Sequence, residues 1–126
     1  MAKKILVVDD DLYIRELYEE VLKEEGYAVE TAKDGEEALA KLKNGGYDLT
    51  LLDIMMPRLD GLGVMDALKQ NPPPTPNGPF LLLTNLDHDP LIKDAMSRGA
   101  VAFIIKADIT PEDLLVQIRK FLKEDK

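Results

Sequence analysis

The stretch Asp48-Leu49-Thr50-Leu51-Leu52-Asp53-Ile54-Met55-Met56-Pro57 decides the fold. An apolar run closes on a single carboxylate, then passes through a short loop to a proline. Gly45 and Gly46 precede it as turn residues. Such a run reads as a strand covered on both faces, which is the mark of a parallel sheet. Asp53 then stands at the carboxyl end of a central strand, the edge where open α/β sheets bind ligands.

Working outward, strand and helix patterns alternate on both sides. Lys4 to Val8 is a β-branched and leucine run that ends in Asp9-Asp10-Asp11. Asp11 suits a helix cap, with Arg15 and Glu16 on the solvent side. Leu12, Ile14, Leu17, Tyr18, Val21 and Leu22 form the apolar stripe of the first helix, and Gly26 ends it. Tyr27 to Thr31 reads as the second strand. Asp34-Gly35-Glu36-Glu37 fits a capping box ahead of a helix that buries Ala38, Leu39 and Leu42. Beyond Pro57, the turn Arg58-Leu59-Asp60-Gly61 leads into a helix through Met65, Leu68 and Lys69.

The segment Asn71 to Pro79 holds five prolines in nine residues, which forbids regular helix or sheet. It reads as a stiff surface loop. Phe80 to Leu83 is the fourth strand, ending in Thr84-Asn85. Pro90 opens a helix carrying Leu91, Ile92, Ala95 and Met96. Val101 to Ile105 is the fifth strand, ending in Lys106. Thr110-Pro111-Glu112-Asp113 starts the last helix, whose stripe is Leu114, Leu115, Ile118, Phe121 and Leu122. Five alternations with short connections imply a doubly wound parallel sheet with helices on both faces.

Composition bounds the function. The 126 residues suit one domain with a real core. A net charge of -8 argues against direct nucleic-acid binding, because phosphate backbones attract Lys and Arg. No cysteine is present and His88 is the single histidine, so thiol chemistry and a histidine metal cluster are excluded. His88 reads as a surface-loop residue. The sequence has no run long enough to cross a membrane and no signal peptide, and a cytoplasmic protein is expected.

In a parallel sheet, Asp9-Asp10, Asp53, Thr84 and Lys106 all fall on one edge. Two carboxylates ~4 Å apart repel by about 1 kcal/mol in water and roughly four times that near a protein surface. A divalent cation relieves this. An oxygen-only ligand set without histidine or cysteine points to Mg²⁺, with Mn²⁺ able to substitute. Lys106 is expected to add positive charge on the opposite side of the pocket. Asp53 is then suited to act as a nucleophile that takes up a phosphoryl group. The cation and Lys106 neutralise the phosphoryl oxygens, and Thr84 donates a hydrogen bond to one of them.

These residues carry a resemblance. Val7-Val8-Asp9-Asp10-Asp11, Leu52-Asp53-Ile54-Met55-Met56-Pro57, Asp60-Gly61, Leu83-Thr84 and Phe103-Ile104-Ile105-Lys106 follow one another as in the receiver domains of two-component response regulators. The match runs from Lys4 to about Lys123 and resembles a stand-alone, chemotaxis-type receiver. It implies a flavodoxin-like five-stranded sheet in the order 2-1-3-4-5 with five helices, and residues 1–126 as a single receiver domain without an output domain. By position, Asp53 resembles the phosphoacceptor and Asp10 a direct Mg²⁺ ligand. Asp9 resembles the acid that orients metal-bound water, and the Met55 backbone carbonyl a further ligand. Thr84 resembles the switch hydroxyl, and Lys106 the lysine that bridges to the phosphoryl group. Phe103 stands at the switch aromatic, although a core role is equally open.

The resemblance further implies a phosphoacceptor switch rather than an enzyme, with phosphotransfer and autodephosphorylation its own only chemistry. Its partners would be a histidine kinase or phosphotransfer protein, and a downstream protein on the face of the fourth helix, fifth strand and fifth helix. The chain would be a monomer or a phosphorylation-dependent dimer. Ala107 stands where the family usually has proline, Asn85 where it favours a small residue, and the proline-rich loop is long. Three other readings compete: an Mg²⁺-dependent aspartyl phosphatase, a flavin-binding module of the same fold, which would need a Ser/Thr/Gly-rich phosphate loop where this chain has Asp9-Asp10-Asp11, and a scaffold that is never phosphorylated. The phosphatase usually needs a second acid two residues after the nucleophile, where this chain has Met55. The scaffold would have a broken acidic pocket.

Overall fold

In the computed structural model, which describes residues 2–56, 58–85, 89–106 and 109–122, strands and helices alternate through the chain. Pro57, His88, Ala107 and Lys123, each considered above, lie outside the described residues. The elements are β1 (Lys4–Val8), α1 (Leu12–Glu24), β2 (Ala28–Ala32), α2 (Gly35–Leu42) and β3 (Leu49–Asp53), then α3 (Gly61–Gln70), β4 (Phe80–Thr84), α4 (Asp89–Ser97), β5 (Ala102–Ile105) and α5 (Pro111–Leu122). All pairings are parallel, and the strand order is β2-β1-β3-β4-β5, as the resemblance implies. Boundaries shift by a residue from the sequence reading only at β2, β4, α4 and β5.

Side-chain alternation along each strand splits the core into two layers. Leu6, Val8, Leu52 and Leu82 face α2, α3 and α4, packing on Ala38, Leu42, Val64, Leu68 and Ile92. Ile5, Val7, Leu51 and Leu83 face α1 and α5, packing on Tyr18, Leu22, Leu114 and Ile118. Every residue of β3 is buried, as the central position of an apolar run requires.

The expected caps at Asp11, Asp34 and Thr110 form, and Asp60, read from the sequence only as part of a turn, caps α3 as well. Asp11 accepts from the Ile14 N–H at 3.2 Å, Asp34 from Glu37 at 2.8 Å, Asp60 from Gly63 at 2.8 Å, and the Thr110 hydroxyl from Asp113 at 3.1 Å. Glu37 reaches back to the Lys33 N–H at 2.8 Å, closing the capping box one residue earlier than the standard pattern.

Three expectations need correction. Leu12 is exposed rather than part of the buried stripe of α1, because it occupies the first turn beyond the reach of the core. Met96 is exposed at the end of α4, where Ile92 and Ala95 do the packing. Arg15 does not point into solvent: its Nη1 donates to the Asp9 carbonyl at 2.8 Å and the residue is half-buried. The proline-rich segment is a surface loop, as expected, and is fastened to the body. The Asn77 side chain accepts from Tyr47 N–H at 3.2 Å and donates to the Leu42 carbonyl at 3.0 Å, while Gly78 N–H donates to the Tyr47 carbonyl at 2.7 Å.

Candidate functional site

The carboxyl edge of the sheet gathers Asp9, Asp10, Asp53, Thr84 and Lys106. β1 delivers Asp9, which is fully buried just after Val8. β3 ends at Asp53, 4% exposed, opposite Leu83 of β4, and Thr84 ends β4 opposite Ile105. Lys106 follows β5 directly and its side chain is almost wholly buried. The residues that differ in burial differ in neighbourhood: Asp10, one position beyond Asp9, is exposed at the mouth. Asp10, Asp11, Asp53, Met55, Thr84, Asn85 and Lys106 line one cleft at this edge.

Lys106 Nζ donates to Asp9 Oδ2 at 2.9 Å and to Asp53 Oδ2 at 3.1 Å. The ammonium therefore bridges the two acids. The other oxygens are also engaged. Asp9 Oδ1 accepts from Asp11 N–H at 2.9 Å, and Asp53 Oδ1 accepts from Met55 N–H at 3.1 Å. Charge-assisted bonds of this length fix both carboxylates. Phe103 is 43% exposed on β5, which removes it from the core and leaves the aromatic on the surface.

Burial pushes the Asp53 carboxyl up to about 6, against the Lys106 ammonium, which pulls it down, and with the Asp9 charge, which adds to the rise. Lys106 shows the converse balance. Burial disfavours its charge, yet the hydrogen bond to Asp9 and the charges of Asp53 and Asp9 hold its pKa above the ordinary lysine value.

Asp9, Asp10 and Asp53 each offer a carboxylate oxygen, and these oxygens lie within 4.8 Å of one another. A hard, oxygen-seeking divalent cation fits this donor set, since Mg²⁺ takes one or two carboxylates and keeps waters. The site mixes one exposed acid, Asp10, with two buried ones, so an ion can enter from solvent without unfolding the pocket.

The loop after β3 is fitted closely to its neighbours. Arg58 reaches α2, with Nε 3.7 Å from Asp34 and Nη1 3.5 Å from Glu36. Gly35, at the start of α2, sits so close to this loop that a Cβ would come within 1.8 Å of the Leu59 carbonyl oxygen. The Gly61 N–H donates to the Ile54 carbonyl at 2.9 Å. These contacts hold the segment that carries Met55.

Sequence reasoning missed three participants: the Met55 N–H, the Asp11 N–H and Arg15. Backbone donors leave no mark in side-chain identity. Arg15 had a signal only in its position one helical turn after the aspartates.

A central aspartate bridged by a lysine to a neighbouring acid, on a sheet of this order, is the arrangement of the signalling switches used by two-component systems. The chain belongs to the response regulator receiver domain family, whose model matches residues 5–119. Among its relatives are a probable transcriptional regulator, ycf27, of Cyanophora paradoxa, 39% identical over 121 residues (96% of this chain, 48% of that protein), and response regulator MprA of Mycobacterium sp. (strain KMS), 39% identical over 123 residues (98% and 52%). The chain thus spans about half the length of these curated relatives. Among solved structures, a CheY-like receiver domain protein from Methanospirillum hungatei JF-1 matches with a TM-score of 0.87 and 33% identity, covering 98% of this chain and 95% of that one. Vibrio cholerae chemotaxis protein CheY4 matches with a TM-score of 0.84 and 32% identity, covering 96% and 99%.

Proposed function

We propose that Asp53 is a phosphoacceptor, and that its phosphorylation switches a protein-binding surface. The observation that carries this reading is the double hold on Asp53: Lys106 on one oxygen and the Met55 N–H on the other, at the open end of β3. A nucleophile must be aimed, and this one is.

In the proposed reaction an Asp53 oxygen attacks the phosphorus of a phosphohistidine. The new O–P bond forms as the P–N bond breaks, and the histidine nitrogen leaves on the donor. Lys106 moves from bridging two carboxylates to pairing with the new phosphoryl oxygens, and the Thr84 hydroxyl donates to another. Asp10, Asp53 and the Met55 carbonyl would hold Mg²⁺, or Mn²⁺ in its place, with Asp9 orienting a bound water. When bound, the cation neutralises charge on the transferred group. Hydrolysis of the acyl phosphate returns the domain to its starting state, so the chain's own chemistry ends with phosphotransfer and autodephosphorylation.

The donor is a histidine kinase or phosphotransfer protein. Leu12 and Tyr13 are 57% and 71% exposed at the start of α1, beside the aspartates of the cleft, and supply an apolar seat for it. The downstream partner takes the face of α4, β5 and α5, where Met96, Val101, Phe103 and Val116 are exposed. An added charge of about -1.5 to -2 on Asp53 draws Thr84 inward, and Phe103 follows as the switch aromatic. Residues 1–126 act as one receiver domain in the cytoplasm, as a monomer or a phosphorylation-dependent dimer. Among the described residues no helix is long and apolar enough to cross a membrane.

The phosphatase reading lacks a general acid at Met55, and the scaffold reading conflicts with an intact acidic cluster. Intact mass after incubation with acetyl phosphate tests the proposal. One phosphoryl adduct with Mg²⁺, absent with chelator and removed by hydroxylamine, is expected. No adduct under conditions where Mg²⁺ binds would remove Asp53 from this role.

A further inference from the structure

Asp9 is held at every polar group it has. Its N–H donates to the Ala32 carbonyl at 3.2 Å. Its Oδ1 accepts from the Asp11 N–H and its Oδ2 from Lys106, both at 2.9 Å. Its carbonyl oxygen accepts from Arg15 Nη1 at 2.8 Å. Asp10 is the opposite case. Its side chain is exposed and makes no hydrogen bond or ion pair among the described residues. Yet one of its carboxylate oxygens lies within 4.8 Å of one from Asp9 and one from Asp53. The backbone on either side of Asp10 is therefore what aims it.

The two peptide units flanking Asp10 have one anchor each. The following unit is held through the Asp11 N–H by Asp9 Oδ1, a bond internal to the turn. The preceding unit is held through the Asp9 carbonyl by Arg15, which belongs to α1. That first turn of α1 is fixed in its own right by the Asp11 cap and by the Arg15 N–H, which donates to the Asp11 carbonyl at 3.0 Å. Arg15 thus ties the aspartate turn to a formed helix.

A guanidinium beside acids ordinarily forms a bidentate bond to a carboxylate. Arg15 follows three consecutive aspartates by one helical turn, yet it makes no ion pair with any of them among the described residues. A peptide carbonyl takes its bond instead, at a half-buried position.

We propose that Arg15 is a positioning residue for the metal site: it orients the Asp9–Asp10 peptide and, through it, the Asp10 carboxylate. The inference rests on the reading of Asp10 as a direct Mg²⁺ ligand. Mg²⁺ demands near-ideal octahedral geometry, so a small rotation of that peptide costs affinity. Groups that orient a metal ligand from behind are worth about 10–100-fold in metal affinity. The charge and the hydrogen bond of Arg15 act in opposite directions. The charge repels the incoming cation, so losing it would tighten binding. Losing the hydrogen bond would weaken binding, and the direction of the change separates the two.

Mg²⁺ is titrated calorimetrically into the full chain as parent, Arg15→Met, Asp10→Ala and the double variant. Arg15→Met keeps the stem of the side chain and removes the donor. It should weaken Mg²⁺ by about tenfold in the parent background, but by less than about twofold in Asp10→Ala, where no carboxylate is left to aim. Labelling of Arg15→Met by acetyl phosphate should need about tenfold more Mg²⁺ and recover as Mg²⁺ saturates. Unchanged or tighter binding in Arg15→Met overturns the proposal. Equal weakening in both backgrounds also overturns it, because Arg15 would then support the whole site rather than Asp10. So does a labelling defect that saturating Mg²⁺ does not restore. If Asp10→Ala binds Mg²⁺ as the parent does, the metal-ligand reading itself fails and the proposal falls with it. If Asp10→Ala alone weakens Mg²⁺, that reading stands and Arg15 has no part in it.

Discussion

Lys106 Nζ lies 3.1 Å from Asp53 Oδ2, and both side chains are almost completely buried. For Asp53 the attraction to Lys106 does not repay the cost of burial, since its carboxyl still rises to about 6, whereas for Lys106 the two acids do. Asp53 therefore binds its proton more tightly folded than unfolded. Its contribution to stability is complete below the unfolded value of about 3.9 and is lost as pH rises through the folded value. Asp53→Asn should then be more stable than the parent by about 1–2 kcal/mol near neutral pH, allowing for the lost attraction to Lys106. The advantage should shrink as pH falls through 6. Urea denaturation in chelator over this range measures it, and a pH-independent difference would contradict the assigned burial cost.

Removing the other partner has the opposite sign. Lys106→Met keeps the side chain's bulk but leaves Asp9 and Asp53 facing each other without a cation. A buried charge stripped of its partner costs about 3–5 kcal/mol. A large loss of stability is expected near neutral pH, and it should diminish on acidification as Asp53 takes up a proton. The same denaturation series reads both effects. A variant as stable as the parent near neutral pH would show that Lys106 is not what balances the two acids.

Most of this arrangement was legible in the chain because parallel topology converts strand ends into neighbours. Asp9, Asp53, Thr84 and Lys106 are far apart in sequence, yet each follows an apolar run, and runs in one parallel sheet end on one edge. That Lys106 bridges both acids was not legible. Its reach depends on side-chain packing, which brings its ammonium to Asp9 and Asp53 at once. Arg15 was misread for a related reason. Helical periodicity identifies the face that points away from the core but not a backbone carbonyl, here that of Asp9, within reach of a long side chain. Leu12 and Met96 show the limit of periodicity at helix ends, where the stripe continues but the sheet beneath it does not.

Asp10 differs from Asp9 in being exposed and outside the Lys106 bridge. Asp10→Ala should therefore leave stability within about 0.5 kcal/mol in the absence of metal. It should weaken Mg²⁺ binding by about tenfold or more, since a hard cation loses a direct carboxylate. Calorimetric titration separates the two effects. Unchanged affinity would place the metal elsewhere.

Gly35 carries a constraint that the capping pattern alone did not reveal. Any side chain there meets the Leu59 carbonyl, so the loop after β3 or the start of α2 must shift. Gly35→Ala is expected to cost about 1–3 kcal/mol through overpacking against backbone. Because this loop also carries Met55, the variant should lose Mg²⁺ affinity as well as stability. Loss of stability with affinity intact would show that the loop absorbs the change before it reaches the site.

Thr50 tests the core rather than the site. It is the second residue of β3, fully buried, in register with Leu6 and Phe80. Among the described residues its Oγ1 is the buried side-chain polar atom without a hydrogen-bond partner. An unpaired buried hydroxyl costs about 1–3 kcal/mol relative to a satisfied one. Valine has nearly the same shape and no polar atom to desolvate. Thr50→Val should accordingly raise stability by about 1 kcal/mol with no change in Mg²⁺ affinity or phosphoryl uptake, since the hydroxyl lies within the sheet and not at its edge. A destabilised variant would mean that the hydroxyl has a partner after all, such as an internal water bound between β3 and the helices over it.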